Sequence, residues 1–203
     1  MLPTQVTFSK PTIQLTHLLG LVSAIRQQQY RFDTVVVANI VLFTAMMGLK
    51  REEIRNAIVG HVMHPYGNVL PQMLSNIKGL PTEGPVVKLP NEVRYMMRTY
   101  LGYLQQHYPG FGMNMHLFPN KKGAKYKNNK LTKHLVKVFA ANRALPGCQV
   151  KLTLGNIRQS GICYYFEWKY QNDPHHDLAM PLLRSAEFSN NSLRTVYRHH
   201  LRL

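Results

Sequence analysis

Tyr197 stands among basic residues near the end of the chain, with Arg194, Arg198 and His199 close to it in sequence. A tyrosine hydroxyl held among fixed cations has the chemistry that nucleophilic attack on a phosphodiester requires. Tyrosine is a weak nucleophile at its ordinary pKa of about 10 and needs such activation. Arginines stabilise the charge of the reacting phosphate, and Arg158 is an upstream candidate. The alternative is an amphipathic tyrosine that packs and hydrogen-bonds at a helix end.

The charge of the chain indicates a polyanionic partner. Lysine and arginine number 25 against 9 aspartates and glutamates, which gives a net charge of +16. A protein this basic attracts nucleic acid from a distance and releases counterions when it binds. Duplex DNA is the predicted partner, and a basic RNA-binding protein is the alternative. A membrane partner is not expected, since no lysine-rich amphipathic helix or lipidation signal is present. A small-molecule substrate is not expected either.

The cysteines and histidines predict neither a metal site nor any other cofactor. Cys148 and Cys163 are the only cysteines and lack a CxxC spacing. His61 with His64, and the histidines at 175–176, have no third ligand at a zinc-like spacing. Without a signal-peptide pattern, a cytoplasmic location is expected, either nucleoid-associated or, in a eukaryote, nuclear.

The pattern of apolar residues predicts an N-terminal arm or linker over residues 1–11 and one domain over residues 12–203. A chain of 203 residues is long enough for one sizeable core. Helices are predicted at about 12–29, 34–47 and 51–59, from Asn91, around 131–139 and at 153–170, with short helices near 178–183 and 192–201. The Gly- and Pro-rich stretch 56–89 favours a small antiparallel sheet. The predicted class is therefore α+β, mostly helical.

Four short segments follow one another along the chain: Gly48-Leu49-Lys50 with Glu53, Lys78-Gly79, Gly155 to Arg158, and Tyr197-Arg198-His199. Their order resembles the catalytic domain of the tyrosine recombinases, the phage integrase family, over roughly residues 12–200. In that family, the segments supply a first arginine at a helix start, a lysine on a β-hairpin, a second arginine in His-x-x-Arg, and the tyrosine nucleophile.

The resemblance implies a site-specific recombinase that cuts and rejoins DNA without metal or ATP. Tyr197 would attack a phosphate and form a 3′-phosphotyrosyl link. Arg158 and Lys50 would hold the phosphate oxygens, and Lys78 would protonate the leaving 5′ oxygen. Lys88 is an alternative for the hairpin lysine. A homo-oligomer on the DNA is compatible with this activity.

The sequence departs from the family pattern at three polar positions. Lys50 replaces an arginine and loses the planar fork that grips two oxygens. Gly155 replaces a histidine, and Phe188 replaces a histidine or tryptophan. Losing one oxyanion donor typically reduces the rate by about 10²–10³. A catalytically impaired DNA-binding relic of the same fold is therefore the alternative function.

A lysine-rich stretch interleaved with Tyr126 predicts contacts to the DNA backbone. The alternative is a solvated charged loop. The predicted DNA-binding residues are Arg51, Lys121, Lys122, Lys125, Lys127, Lys130, Arg198 and His199.

Overall fold

The computed structural model describes residues 12–81, 88–142, 152–172, 179–191 and 194–196. Of these residues, 65% are helical. The helices of the described residues include α1 (Leu15–Gln27), α2 (Thr34–Met47), α3 (Arg51–Asn56), α4 (Met73–Lys78), α5 (Asn91–His107), α6 (Asn128–Ala141), α7 (Leu154–Gln171) and α8 (Ala179–Ser189). A 3₁₀ turn lies at Val59–His61, and residues 194–196 are also helical. The predicted helical majority is confirmed.

The predicted antiparallel sheet, and with it the α+β class, is wrong for the described residues. Where the sheet was expected, the chain forms the 3₁₀ turn and α4. Pairs such as Met63 with Val69 form isolated antiparallel bridges that do not extend into strands. The apolar residues of this stretch, such as Val62 and Val69, are buried from loops instead. Val86 and Val87, which contributed to the sheet prediction, lie outside the described residues.

Helix α2 forms the centre of the core, because its sequence is apolar on almost every side. Eleven of its 14 residues are buried. It packs against α1 on one side and α7 on another, and α7 packs against α8. The Asp33 carboxylate accepts the Val36 amide at 3.0 Å and starts the helix. Gly48 ends it with a left-handed φ of 59°, which glycine adopts without steric strain.

The close approach of α2 and α7 depends on Gly161. A Cβ atom at this position would lie 1.7 Å from the carbonyl oxygen of Ala45 in α2. Only glycine allows the two backbones to come so near. The crossing sets the distance between Gly48, which directly follows α2, and Arg158, which lies one turn before Gly161 on α7.

Candidate nucleic-acid interface

Three cations from separate parts of the chain meet where α2 ends. Lys50 directly precedes α3, Lys78 is the last residue of α4, and Arg158 lies near the start of α7. The Gly48 carbonyl oxygen accepts hydrogen bonds from Lys78 Nζ at 3.3 Å and from Arg158 Nε at 2.9 Å. We call Lys50, Lys78 and Arg158 the cation triad.

The same three side chains hold the C-terminal end of α8. Lys78 Nζ donates to the carbonyl of Phe188, and Arg158 Nη2 donates to that of Ser189 at 2.5 Å. Lys50 Nζ donates to the carbonyl of Asn190 at 3.0 Å. Carbonyl groups at a helix C-terminus carry partial negative charge and attract cations. The triad therefore has oxygen partners that belong to the protein itself.

Burial gives Lys78 unusual acid–base behaviour. The residue is 7% exposed. Removal from water lowers its pKa to about 7; Glu53 opposes the shift, and the charges of Arg158 and Lys50 add to it. Burial also lowers the pKa of Arg158, again opposed by Glu53. Lys78 can thus exchange a proton near neutral pH, as a general acid must.

Glu53 is the carboxylate whose charge acts on this cluster. Its Oε2 accepts the Lys50 backbone N–H at 2.6 Å and fixes the first turn of α3. The charge of Glu53 acts on Lys78 and Arg158, and with Lys50 the cluster has three basic side chains to this carboxylate and thus an excess of positive charge.

Two of the three predicted departures from the family pattern, Phe188 and Gly155, have clear structural settings. Phe188 is fully buried, and its ring stacks on that of Tyr165 with centroids 4.0 Å apart. The Phe188 ring also lies 5.0 Å from Lys78 Nζ, so it forms an apolar wall and offers a phosphate no hydrogen bond. Gly155 is exposed, and the nearest atom to a Cβ built there is 3.8 Å away, which leaves room for a side chain.

The predicted site residues are only partly brought together. Lys50, Lys78 and Arg158 converge, but Lys78 ends a helix, so the hairpin setting that the resemblance implied is wrong. Lys88 is exposed, and its charge acts on Lys169 in the last turns of α7. The predicted nucleophile Tyr197, with Arg198 and His199, lies outside the described residues.

A second basic area, the lysine surface, comprises the exposed lysines of α6 and of the loop before it. Lys125 Nζ donates to Asn56 Oδ1 at 2.5 Å, and Arg55 Nε donates to the Tyr126 carbonyl at 3.1 Å, so this loop is attached to α3. Residues 121–141 include no aspartate or glutamate. The members of the lysine surface are Lys121, Lys122, Lys125, Lys127, Lys130, Lys133 and Lys137.

Lys133 and Lys137 were missed by the sequence analysis. They follow Lys130 at spacings of three and four residues, which places the three lysines on one side of α6. Leu131, Leu135, Val138 and Phe139 occupy the buried side. The helical spacing of lysines was the signal that could have identified them.

Helix α3 connects the triad to the lysine surface. It begins after Lys50 with the exposed Arg51 and ends at Asn56, which contacts Lys125. Six helical residues span about 9 Å. The two basic areas therefore lie at opposite ends of one short helix, with Arg51 beside the triad.

Two absences concern the described residues alone. No three or more His, Cys, Asp or Glu side chains there are grouped so that they could hold a metal ion. His61 Nδ1 accepts the Ile58 amide at 3.4 Å, and the stretch at 175–177 lies outside the described residues. None of the helices in this part of the chain combines the length and apolar character needed to cross a bilayer.

Comparison of the chain with protein-family models, with curated proteins and with solved structures found no match.

Proposed function

We propose that the chain binds duplex DNA and that the cation triad holds one backbone phosphate. The convergence of Lys50, Lys78 and Arg158 on one point carries this proposal. These residues are separated by 28 and 80 positions in sequence, and the fold brings all three to the last turn of α8.

The electrostatics of the triad favour an anionic ligand. Like charges repel, and burying a lysine is costly unless opposite charge compensates it. A cation near a helix C-terminus is common, but one exposed side chain is enough for that role. Here three basic groups converge, one of them buried, against one carboxylate. A phosphate would supply the missing negative charge and raise the pKa of Lys78.

The lysine surface fits the same ligand. Seven exposed lysines without an intervening acid form a surface that can contact successive phosphates. Its connection to the triad through α3 allows one duplex to touch both areas. Contacts of this kind position the duplex without reading its sequence.

The proposed reaction is transfer of a DNA strand to Tyr197. The tyrosine hydroxyl loses its proton to water as its oxygen forms a bond to phosphorus, and the bond from phosphorus to the 5′ oxygen breaks. Arg158 and Lys50 stabilise the phosphate oxygens, while Lys78 gives a proton to the leaving oxygen. Phe188 and Gly155 add no donor, and this observation favours the second candidate function, a DNA-binding protein with impaired catalysis.

Binding is tested with a fluorescent duplex at several salt concentrations. We expect log Kd to rise linearly with log salt concentration, since binding neutralises DNA phosphates and releases their counterions. Replacing Lys133 and Lys137 with alanine should reduce the magnitude of the slope by about 2. Arg98→Ala is the matched control because it removes an exposed charge on α5 that belongs to neither basic area. Equal slopes for all variants would refute the role of the lysine surface.

Two further measurements separate the alternatives. Structured RNA is used as a competitor, and stronger binding of RNA than of duplex DNA would favour the RNA-binding alternative. A nicked suicide duplex should trap a covalent protein–DNA adduct with the natural chain and none with Tyr197→Phe. Salt-sensitive binding without an adduct would leave the DNA-binding role and remove the catalytic one.

A further inference from the structure

The end of α8 is a Schellman motif that leaves three carbonyl groups for other partners. The Asn191 amide donates to the Ala186 carbonyl at 3.0 Å, and the Asn190 amide donates to the Glu187 carbonyl at 3.1 Å. Asn190 has a left-handed φ of 50°, as this motif requires. The next carbonyls, those of residues 188–190, are not used by the motif.

These three carbonyls are the groups that the triad holds. Lys78 donates to the Phe188 carbonyl, Arg158 to the Ser189 carbonyl and Lys50 to the Asn190 carbonyl. The three carbonyl oxygens accept hydrogen bonds from the three cations, as the oxygens of a phosphate group would. We call the carbonyls of residues 188–190 the α8 latch.

Little donor capacity remains while the latch is in place. Arg158 directs Nε to the Gly48 carbonyl and Nη2 to the latch, so the edge formed by these two nitrogens is occupied. Lys78 is buried and already donates to two carbonyls. A phosphate can take over the bonds from Arg158 Nη2 and Lys78 Nζ that the latch now holds only when the latch moves away.

We propose that the α8 latch is an internal competitor for the cation triad, so that a DNA phosphate enters the triad only by displacing the end of α8. This inference rests on the proposed function, because it assigns the regulation of the same site. The apparent affinity for DNA is then the intrinsic affinity multiplied by the fraction of molecules in which the latch is open.

Three features set the strength of the latch. Phe188 anchors it through stacking on Tyr165, and Arg184 pairs with Glu187 at 2.8 Å one turn earlier. Asn190 weakens it, because a residue with a side chain rarely adopts a positive φ. The Asn190 side chain is exposed, so substitutions there act on the backbone and leave the triad unchanged.

The test uses two opposite substitutions at this one position. Glycine adopts the left-handed conformation freely, whereas a β-branched valine is strongly disfavoured there. Asn190→Gly should close the latch more firmly and weaken binding of the labelled duplex by about threefold, while Asn190→Val should tighten it by up to about tenfold. Thermal stability should change in the opposite order, with Asn190→Gly the more stable variant.

A measurement on the natural chain complements the variants. If DNA displaces the latch, saturating duplex should speed hydrogen exchange at the amides of Asn190 and Asn191, whose bonds form the motif. Unchanged or slower exchange, or equal affinities of the two Asn190 variants despite their different stabilities, would overturn the latch.

One more variant shows which proposal has failed. Lys50→Gln removes a triad charge and should weaken binding. If Lys50→Gln weakens binding but the Asn190 variants do not differ, the latch alone is refuted. If the natural chain does not bind the duplex, the proposed function and the latch are both refuted.

Discussion

Replacing Gly161 with alanine should destabilise the protein more than any other single-methyl addition to a described helix glycine. The new Cβ would lie 1.7 Å from the Ala45 carbonyl oxygen and 2.6 Å from its carbon. Reaching an ordinary contact requires α2 and α7 to separate by about 2 Å. The neighbouring apolar cavity, about 160 Å³ in volume, gives little relief because the clash is with backbone.

The expected loss of stability arises because the added methyl group overpacks the close contact between the α2 and α7 backbones. Overpacked cores typically lose about 1–3 kcal/mol, and a clash with backbone belongs at or above the upper end. For a chain of this size, about 3 kcal/mol lowers Tm by roughly 6–12 °C. Urea unfolding followed by circular dichroism measures the free energy of unfolding directly.

Gly102 provides the matched control. It lies inside α5, and a Cβ built there meets nothing within 4 Å. Gly102→Ala should therefore stabilise the protein by about 0.5–1 kcal/mol through helix propensity alone. If Gly161→Ala is as stable as Gly102→Ala, the close crossing of α2 and α7 is not present in solution and the reasoning fails.

Two other predictions concern the buried Lys78 and the half-buried Asp33. Since the pKa of Lys78 is lowered to about 7 by burial, unfolded molecules bind more protons above that pH, so stability should rise between about pH 7 and pH 9 by up to about 1.4 kcal/mol per pH unit. Lys78→Met should flatten this rise when the free energy of unfolding is measured by urea titration at each pH. An unchanged slope would mean that groups other than Lys78 cause the rise. Asp33 accepts hydrogen bonds from Tyr108 at 2.6 Å and Tyr103 at 3.0 Å. Asp33→Asn retains a capping oxygen but removes the charge, so it should cost about 1–3 kcal/mol in thermal unfolding, and a loss below 0.5 kcal/mol would contradict the assignment.

The helices were predictable where one local signal coincided with apolar periodicity. Helix α2 has the predicted bounds, because Gly48 terminates an apolar run. The cap at Thr153 likewise marked α7, where its hydroxyl accepts the Asn156 amide at 3.0 Å. The stretch after α3 was predicted wrongly because its short apolar pieces are buried by tertiary contacts from loops. Alternation in such short pieces cannot distinguish a strand from a buried loop.

The site was predictable as a set of residues and not as an arrangement. The order of the four segments selected Lys50, Lys78 and Arg158, and the fold places them together. The oxygens that hold them are backbone carbonyls of residues 188–190, which any residue type could supply. Side-chain patterns carry no information about such partners, so the α8 latch could be found only from the coordinates.

The burial of α2 has a consequence for how the protein is made. Its apolar surface is covered partly by α1, which precedes it, and partly by α7, which ends roughly 120 residues later. At about 5–20 residues per second, a ribosome needs on the order of 6–25 s to synthesise that stretch. During this interval, the most apolar helix of the nascent chain lacks one of its two covers. The protein should therefore need protection by a chaperone during synthesis more than after release.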